Sequence, residues 1–136
     1  MKSFFILIVF ALSVVFLSCK KDDVTVSNPP QEFQVKIDSL KLSKNTIWND
    51  TLRARLWGTI GSSTCYQFAR YETTRDSFSA TVKVIGTFTA GSNCGAVVVE
   101  LRSAIYRIYP LYPGKFTLKI QQPGGTIIQD TTTILP

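Results

Sequence analysis

The chain has 136 residues, 45% of them hydrophobic and 18% charged, with 15 basic against 9 acidic side chains and no histidine. That length leaves room for one domain, since single domains run to roughly 100–150 residues, and a chain neither strongly charged nor poor in aromatics is not disordered over most of its length. The missing histidine removes the usual general base, the usual metal ligand and the usual partner of a serine or cysteine nucleophile.

The chain opens with Lys2 followed by an apolar stretch of fourteen residues, Phe4 to Leu17. A membrane-spanning helix needs about 20 such residues, so residues 1–18 read as a signal peptide, with the small Ser18 at the cleavage point. Phe16-Leu17-Ser18-Cys19 resembles the bacterial lipobox, with Phe16 in place of the commoner leucine. The resemblance implies a diacylglycerol on the Cys19 sulfur, cleavage before it, and acylation of the new amino terminus. One acyl chain binds a membrane marginally, whereas two or more hold it firmly. Ordinary secretory cleavage, with Cys19 left as a thiol, is the competing reading. Lys20-Lys21-Asp22-Asp23 looks like the charged signal that follows the lipidated cysteine in surface-exported lipoproteins of the Bacteroidota. That implies an outer-membrane, cell-surface location; a merely solvated tether has the same composition and leaves the domain facing the periplasm.

Residues 19–31 read as the lipidated tether. Val24 to Gln31 is polar and contains Pro29-Pro30, which lack backbone donors and favour extended conformations. From Cys19 to Phe33 the chain reaches at most about 50 Å.

Residues 32–136 show period-two patterning broken by turn residues. Phe33, Val35 and Ile37 alternate, and the pattern resumes out of phase at Leu40 and Leu42, which predicts a kink or bulge near Asp38-Ser39. After the turn-like Trp48-Asn49-Asp50, the residues Leu52, Ala54, Leu56 and Ile60 share one face. Gly58-Thr59-Ile60-Gly61-Ser62-Ser63 reads as a turn. Tyr66 and Phe68 follow Cys65. Phe78, Ala80, Val82 and Val84 are the clearest alternating set. Val97, Val99 and Leu101 lead a strand toward Tyr109, Phe116, Leu118 and Ile120 alternate with polar residues, and Thr126 to Leu135 closes the chain. About seven strands and no helix argue for an all-β, antiparallel sandwich or barrel.

Leu111-Tyr112-Pro113-Gly114-Lys115-Phe116 resembles the Leu-x-Pro-Gly-x-Tyr corner of fibronectin type III and related immunoglobulin-like sandwiches, with Phe116 where the corner has tyrosine. The buried hydroxyl bond of that corner is therefore lost. With Cys65-Tyr66, Cys94 and Pro113-Gly114, the region from Gln31 to Pro136 resembles the small immunoglobulin-like lipoproteins of the Bacteroidota. That resemblance implies an immunoglobulin-like β-sandwich and no particular activity. Once lipidation has used Cys19, Cys65 and Cys94 remain as a pair in an oxidising compartment, where a disulfide is the default. A catalytic or metal-binding thiol is the alternative.

No Ser-x-x-Lys, phosphate-cradling loop or Asp-x-Asp calcium spacing occurs. Glu72 and Glu100 form the one carboxylate pair that a glycosidase would test, and both read as solvated strand charges. No enzyme activity, metal or cofactor is therefore expected. The net charge of +6, or +5 without Lys2 (14 − 9), is scattered and forms no run; the export signal argues against a nucleic-acid partner. Arg53, Arg55 and Trp57 alternate with the buried set and share an outer face, to which Tyr71 is added as a further exposed aromatic, along with Tyr106, Tyr109 and Tyr112. Two cations beside an indole suit a carboxylated sugar, while ordinary sheet decoration is the plain alternative. The expectation is thus a lipid-anchored, non-enzymatic module for a glycan or protein, or alternatively an accessory subunit of an envelope complex.

Overall fold

The computed structural model describes residues 29–91 and 93–136; the leader, Cys19 and Lys20 to Asp23 lie outside them. The described residues form nine strands and no helix: β1 (Gln31–Gln34), β2 (Ser39–Leu42), β3 (Thr46–Ile47), β4 (Leu52–Ser63), β5 (Tyr66–Arg75), β6 (Ser79–Phe88), β7 (Ala96–Ile108), β8 (Gly114–Gln121) and β9 (Ile127–Leu135). Two sheets face each other across one core. In the larger sheet, β5 lies along one side of β6. Along the other side, β1 covers Ile85 to Phe88 and β8 covers Ser79 to Val82, after which come β9 and β3. The smaller sheet runs β2-β4-β7.

Alternation places the core as the pattern implies. Leu52, Ala54 and Leu56 of β4, Ala80, Val82 and Val84 of β6, and Phe116, Leu118 and Ile120 of β8 are buried between the sheets. Phe78 departs from its set. β6 begins at Ser79, so Phe78 stays in the preceding turn, 52% exposed, with its ring 6.0 Å from that of Tyr112.

Three further expectations change. The phase break at Asp38-Ser39 is larger than a kink, because β1 pairs with β6 in one sheet and β2 with β4 in the other. The crossing residues Val35 and Ile37 plug the core between them. Gln122 clamps this crossing: the Ile37 N–H donates to its Oε1 at 2.9 Å, and its Nε2 donates to the Ile37 carbonyl at 3.2 Å. Gly58 to Ser63 is no turn but the second half of β4. The glycines there permit close approach. A Cβ on Gly58 would lie 2.5 Å from the Lys36 carbonyl oxygen, and one on Gly61 would lie inside the Tyr66 ring. The sandwich is also not wholly antiparallel. β6 runs parallel to β8, and β3 parallel to β9, because β7 crosses to the other sheet between β6 and β8.

β7 carries a bulge. Leu56 faces Ala104 but Gly58 faces Leu101, so one extra residue is accommodated at Arg102-Ser103, where Ser103 takes a φ of 58°. The bulge moves the inward set of β7 from the even positions Tyr106 and Ile108 to Leu101. Cys65 and Cys94 form a disulfide with Cα atoms 5.3 Å apart. It ties the β4–β5 turn to the β6–β7 loop at the end of the sandwich where Gln31 lies opposite Phe88.

Candidate binding face

The outer side of the β2-β4-β7 sheet gathers cations by strand register. Residues directly opposite each other on antiparallel strands point to the same face, with Cβ atoms about 5 Å apart. Lys41 of β2 lies opposite Arg55 of β4, and Arg53 of β4 lies opposite Arg107 of β7. Arg53 and Arg55 project to the same side because they are two positions apart on one strand, and the residues between and around them, Leu52, Ala54 and Leu56, point into the core. Trp57 continues the row, half-buried and opposite Ser39, while the exposed Ile105 completes it across from Arg55. Lys41, Ser43, Lys44, Arg53 and Arg55 border an open depression of about 630 Å³.

The charge on this face is not neutralised. Among the described residues the ion pairs are Arg70 with Glu32 and Glu72, and Arg102 with Glu100; none uses Lys41, Arg53, Arg55 or Arg107. Asp130 of β9 accepts from the Leu42 N–H at 2.9 Å and the Thr131 N–H at 2.8 Å. Like charges directly opposite on a sheet destabilise it, and two such pairs stand side by side here.

On the opposite sheet one arginine is ion-paired, while Lys83, Lys115 and Lys119 take part in none of the ion pairs among the described residues. On its outer side Arg70 holds Glu32 in a forked contact at 2.5 and 2.9 Å and reaches Glu72 at 2.6 Å. The Arg70 hydrogen bonds hold the Glu32 carboxyl below the usual glutamate range. Glu72 also lies opposite Lys83. Glu72 and Glu100 thus sit on different sheets, each beside its own arginine.

Of the residues singled out in the sequence, Arg53, Arg55 and Trp57 come together, and Tyr71 does not join them. Tyr71 belongs to β5 of the other sheet and lies opposite the buried Val84, so its ring points inward at that edge. It packs 4.8 Å from both Phe68 and Tyr106. Burial first, and the neighbouring Tyr106 second, raise its phenol above the ordinary value of 10.0. Tyr106 bonds the Thr73 hydroxyl at 2.7 Å and Arg75 reaches the Tyr109 carbonyl; together these contacts close that side of the sandwich. Tyr109 and Tyr112 are exposed with Trp48, Phe78 and Leu111 at the end away from Gln31. There the Trp48 Nε1 donates to the Leu111 carbonyl at 3.2 Å.

Lys41 and Arg107 escape a reading of the sequence. Membership of the face depends on which strands flank β4, and for Arg107 also on the bulge that resets the phase of β7. Among the described residues no group of three histidine, cysteine, aspartate or glutamate side chains is placed to hold a metal ion.

Compared with known proteins, the chain matches no family model, no curated protein and no solved structure.

Proposed function

We propose that this chain is an outer-membrane lipoprotein, anchored through lipid on Cys19 and displayed at the cell surface, whose sandwich is a non-enzymatic module for binding a glycan or a protein. The observation that carries the binding half of this reading is the unneutralised face of Lys41, Arg53, Arg55 and Arg107 beside Trp57. On the opposite sheet, by comparison, Arg70 is paired with Glu32 and Glu72. The anchoring half rests on the leader, Cys19 and Lys20 to Asp23, and on the Cys65–Cys94 disulfide, which suits an oxidising compartment.

We further propose kinship with the small immunoglobulin-like lipoproteins of the Bacteroidota. A three-stranded β2-β4-β7 sheet opposite the β8–β9 hairpin, with the Pro113-Gly114 turn between β7 and β8, supports it. The parallel β6–β8 pairing is a departure from the antiparallel sheets of that architecture.

The second reading, an accessory subunit docked on an envelope complex, draws on the exposed Trp48, Phe78, Tyr109, Leu111 and Tyr112 at one end of the sandwich. Protease treatment of intact cells, with outer-membrane-permeabilised cells as control, separates the two. Cleavage on intact cells is the expected result. Protection until permeabilisation places the domain in the periplasm and favours the accessory role.

A further inference from the structure

We infer that the outer face of the β2-β4-β7 sheet is a binding surface for a linear acidic polysaccharide, one carrying carboxylate or sulfate groups along its length. The inference rests on the binding-module reading above and names its ligand class.

Charge complementarity selects an anion. Lys41 opposite Arg55 and Arg53 opposite Arg107 make two adjacent like-charged cross-strand pairs, an arrangement that opposes folding in isolation and is relieved when an anion settles between the rows. The cations stand about 5 Å apart across the strands and about 7 Å apart along them, so a single small anion meets at most one pair, while a chain of anions meets both. Shape selects a polymer. The depression beside Lys41, Lys44, Arg53 and Arg55 is an open trough on a sheet face, not an enclosed pocket, and enclosed pockets are what bury small ligands. Trp57 selects a sugar. Its half-buried indole lies two positions from Arg55 on the same strand, so it continues the Arg53–Arg55 row on that face, and an aromatic ring in such a row suits the apolar side of a pyranose whose acidic substituent meets the guanidinium groups.

The test uses the full mature chain in detergent micelles, with binding read from Trp57 fluorescence in a Trp48→Phe background. The probes are polygalacturonate, dextran sulfate, neutral dextran, and vesicles of phosphatidylcholine with phosphatidylglycerol. Both acidic polymers are expected to bind, neutral dextran is not, and affinity is expected to fall steeply with added salt. Arg55→Gln with Arg107→Gln is expected to weaken binding at least tenfold. Lys83→Gln with Lys119→Gln, which removes the same charge from the opposite sheet, is expected to leave it within twofold. Circular dichroism melts show that each variant is folded. Equal losses in the two double variants would reduce the effect to net charge and overturn the site, as would failure to bind either acidic polymer. Binding to the anionic vesicles alone overturns the polysaccharide in favour of lipid. A chain that binds polygalacturonate in solution yet resists shaving on intact cells fails the display reading and leaves this inference standing.

Discussion

Arg53→Glu should make the protein more stable while removing the function assigned to it. Arg53 lies directly opposite Arg107 and one pleat from Arg55 on the same face. Substituting a carboxylate converts a repulsion into an attraction without touching the core, because only Leu52 and Ala54 on either side of it are buried. For exposed charge centres about 7 Å apart in water, one pair interacts by about 0.6 kcal/mol. Screening with a Debye length of about 8 Å at physiological ionic strength reduces this to about 0.25 kcal/mol. Reversing the sign counts the term twice, which gives a gain of about 0.5 kcal/mol over the native protein at physiological salt. At 10 mM salt, where the Debye length is about 30 Å, the gain is about 0.9 kcal/mol. A domain of this size moves by about 4–8 °C per kcal/mol, so the melting temperature should rise by about 2–4 °C in the first buffer and about 4–7 °C in the second. Arg53→Gln should fall midway, since it removes the repulsion without supplying the attraction. The assay is thermal unfolding of the three disulfide-intact proteins at both salt concentrations, with polygalacturonate binding measured in parallel. A Glu variant that melts no higher than the Gln variant at low salt, or a gap that does not widen as salt is diluted, refutes the electrostatic reasoning.

Other perturbations probe the frame that carries the face. Gln122→Ala strips the Ile37 N–H and carbonyl of their buried partners; at about 1–3 kcal/mol per unsatisfied group, urea unfolding should show a loss of about 2–6 kcal/mol, and a loss below about 1 would mean that water replaces the amide. Replacing Cys65 and Cys94 together by serine opens a loop of sequence separation 29 and should lower stability by about 3–4 kcal/mol on the chain-entropy account; the native denatured, unreduced chain should show no titratable thiol from this pair. Gly61→Ala drives a methyl into the Tyr66 ring and should destabilise by about 1–3 kcal/mol, with most of that loss recovered when Tyr66→Leu is added. Tyr71 binds its proton more tightly folded than unfolded, so its contribution is constant below the ordinary tyrosine pKa of about 10 and is lost as pH rises through the folded value. The stability difference between native protein and Tyr71→Phe should accordingly hold steady below about pH 10 and shrink as pH rises above it, and a flat difference there would contradict the burial of that phenol.

What was legible in the sequence is what depends on a strand's own period. Leu52, Ala54 and Leu56, or Phe116, Leu118 and Ile120, are buried because alternate side chains must share a face whatever strand lies alongside. The same logic put Arg53, Arg55 and Trp57 outside together. What was not legible depends on neighbours. The phase break at Asp38-Ser39 is visible as a break, but nothing local distinguishes a bulge from a change of sheet. Lys41 enters the face because β2 lies beside β4, and Arg107 because the bulge at Ser103 resets β7. Tyr71 has the look of an exposed strand aromatic; only the packing of β5 against β7 turns it inward. Gln122, in a turn ahead of Pro123 and Gly124, gives no hint that it serves a backbone 85 residues away.

The contrast between the two outer faces bears on whether the cationic one is decoration. Both sheets had charged positions to fill and acids with which to fill them. On the larger sheet Arg70 is forked onto Glu32 and touches Glu72, which itself lies opposite Lys83. On the smaller sheet the acid within the register, Glu100, lies opposite Thr59 and bonds Arg102 at 2.6 Å, a strand length away from Arg107. A single exchange of Arg53 for an acid would have turned the Arg53–Arg107 repulsion into an attraction and stabilised the fold by the amount worked out above. Scattered decoration of a sheet does not explain why the unfavourable arrangement occurs twice in adjacent register positions, beside the one tryptophan of that face. A surface that must stay cationic to hold an anion explains both, because pairing its charges internally would remove the attraction on which binding depends.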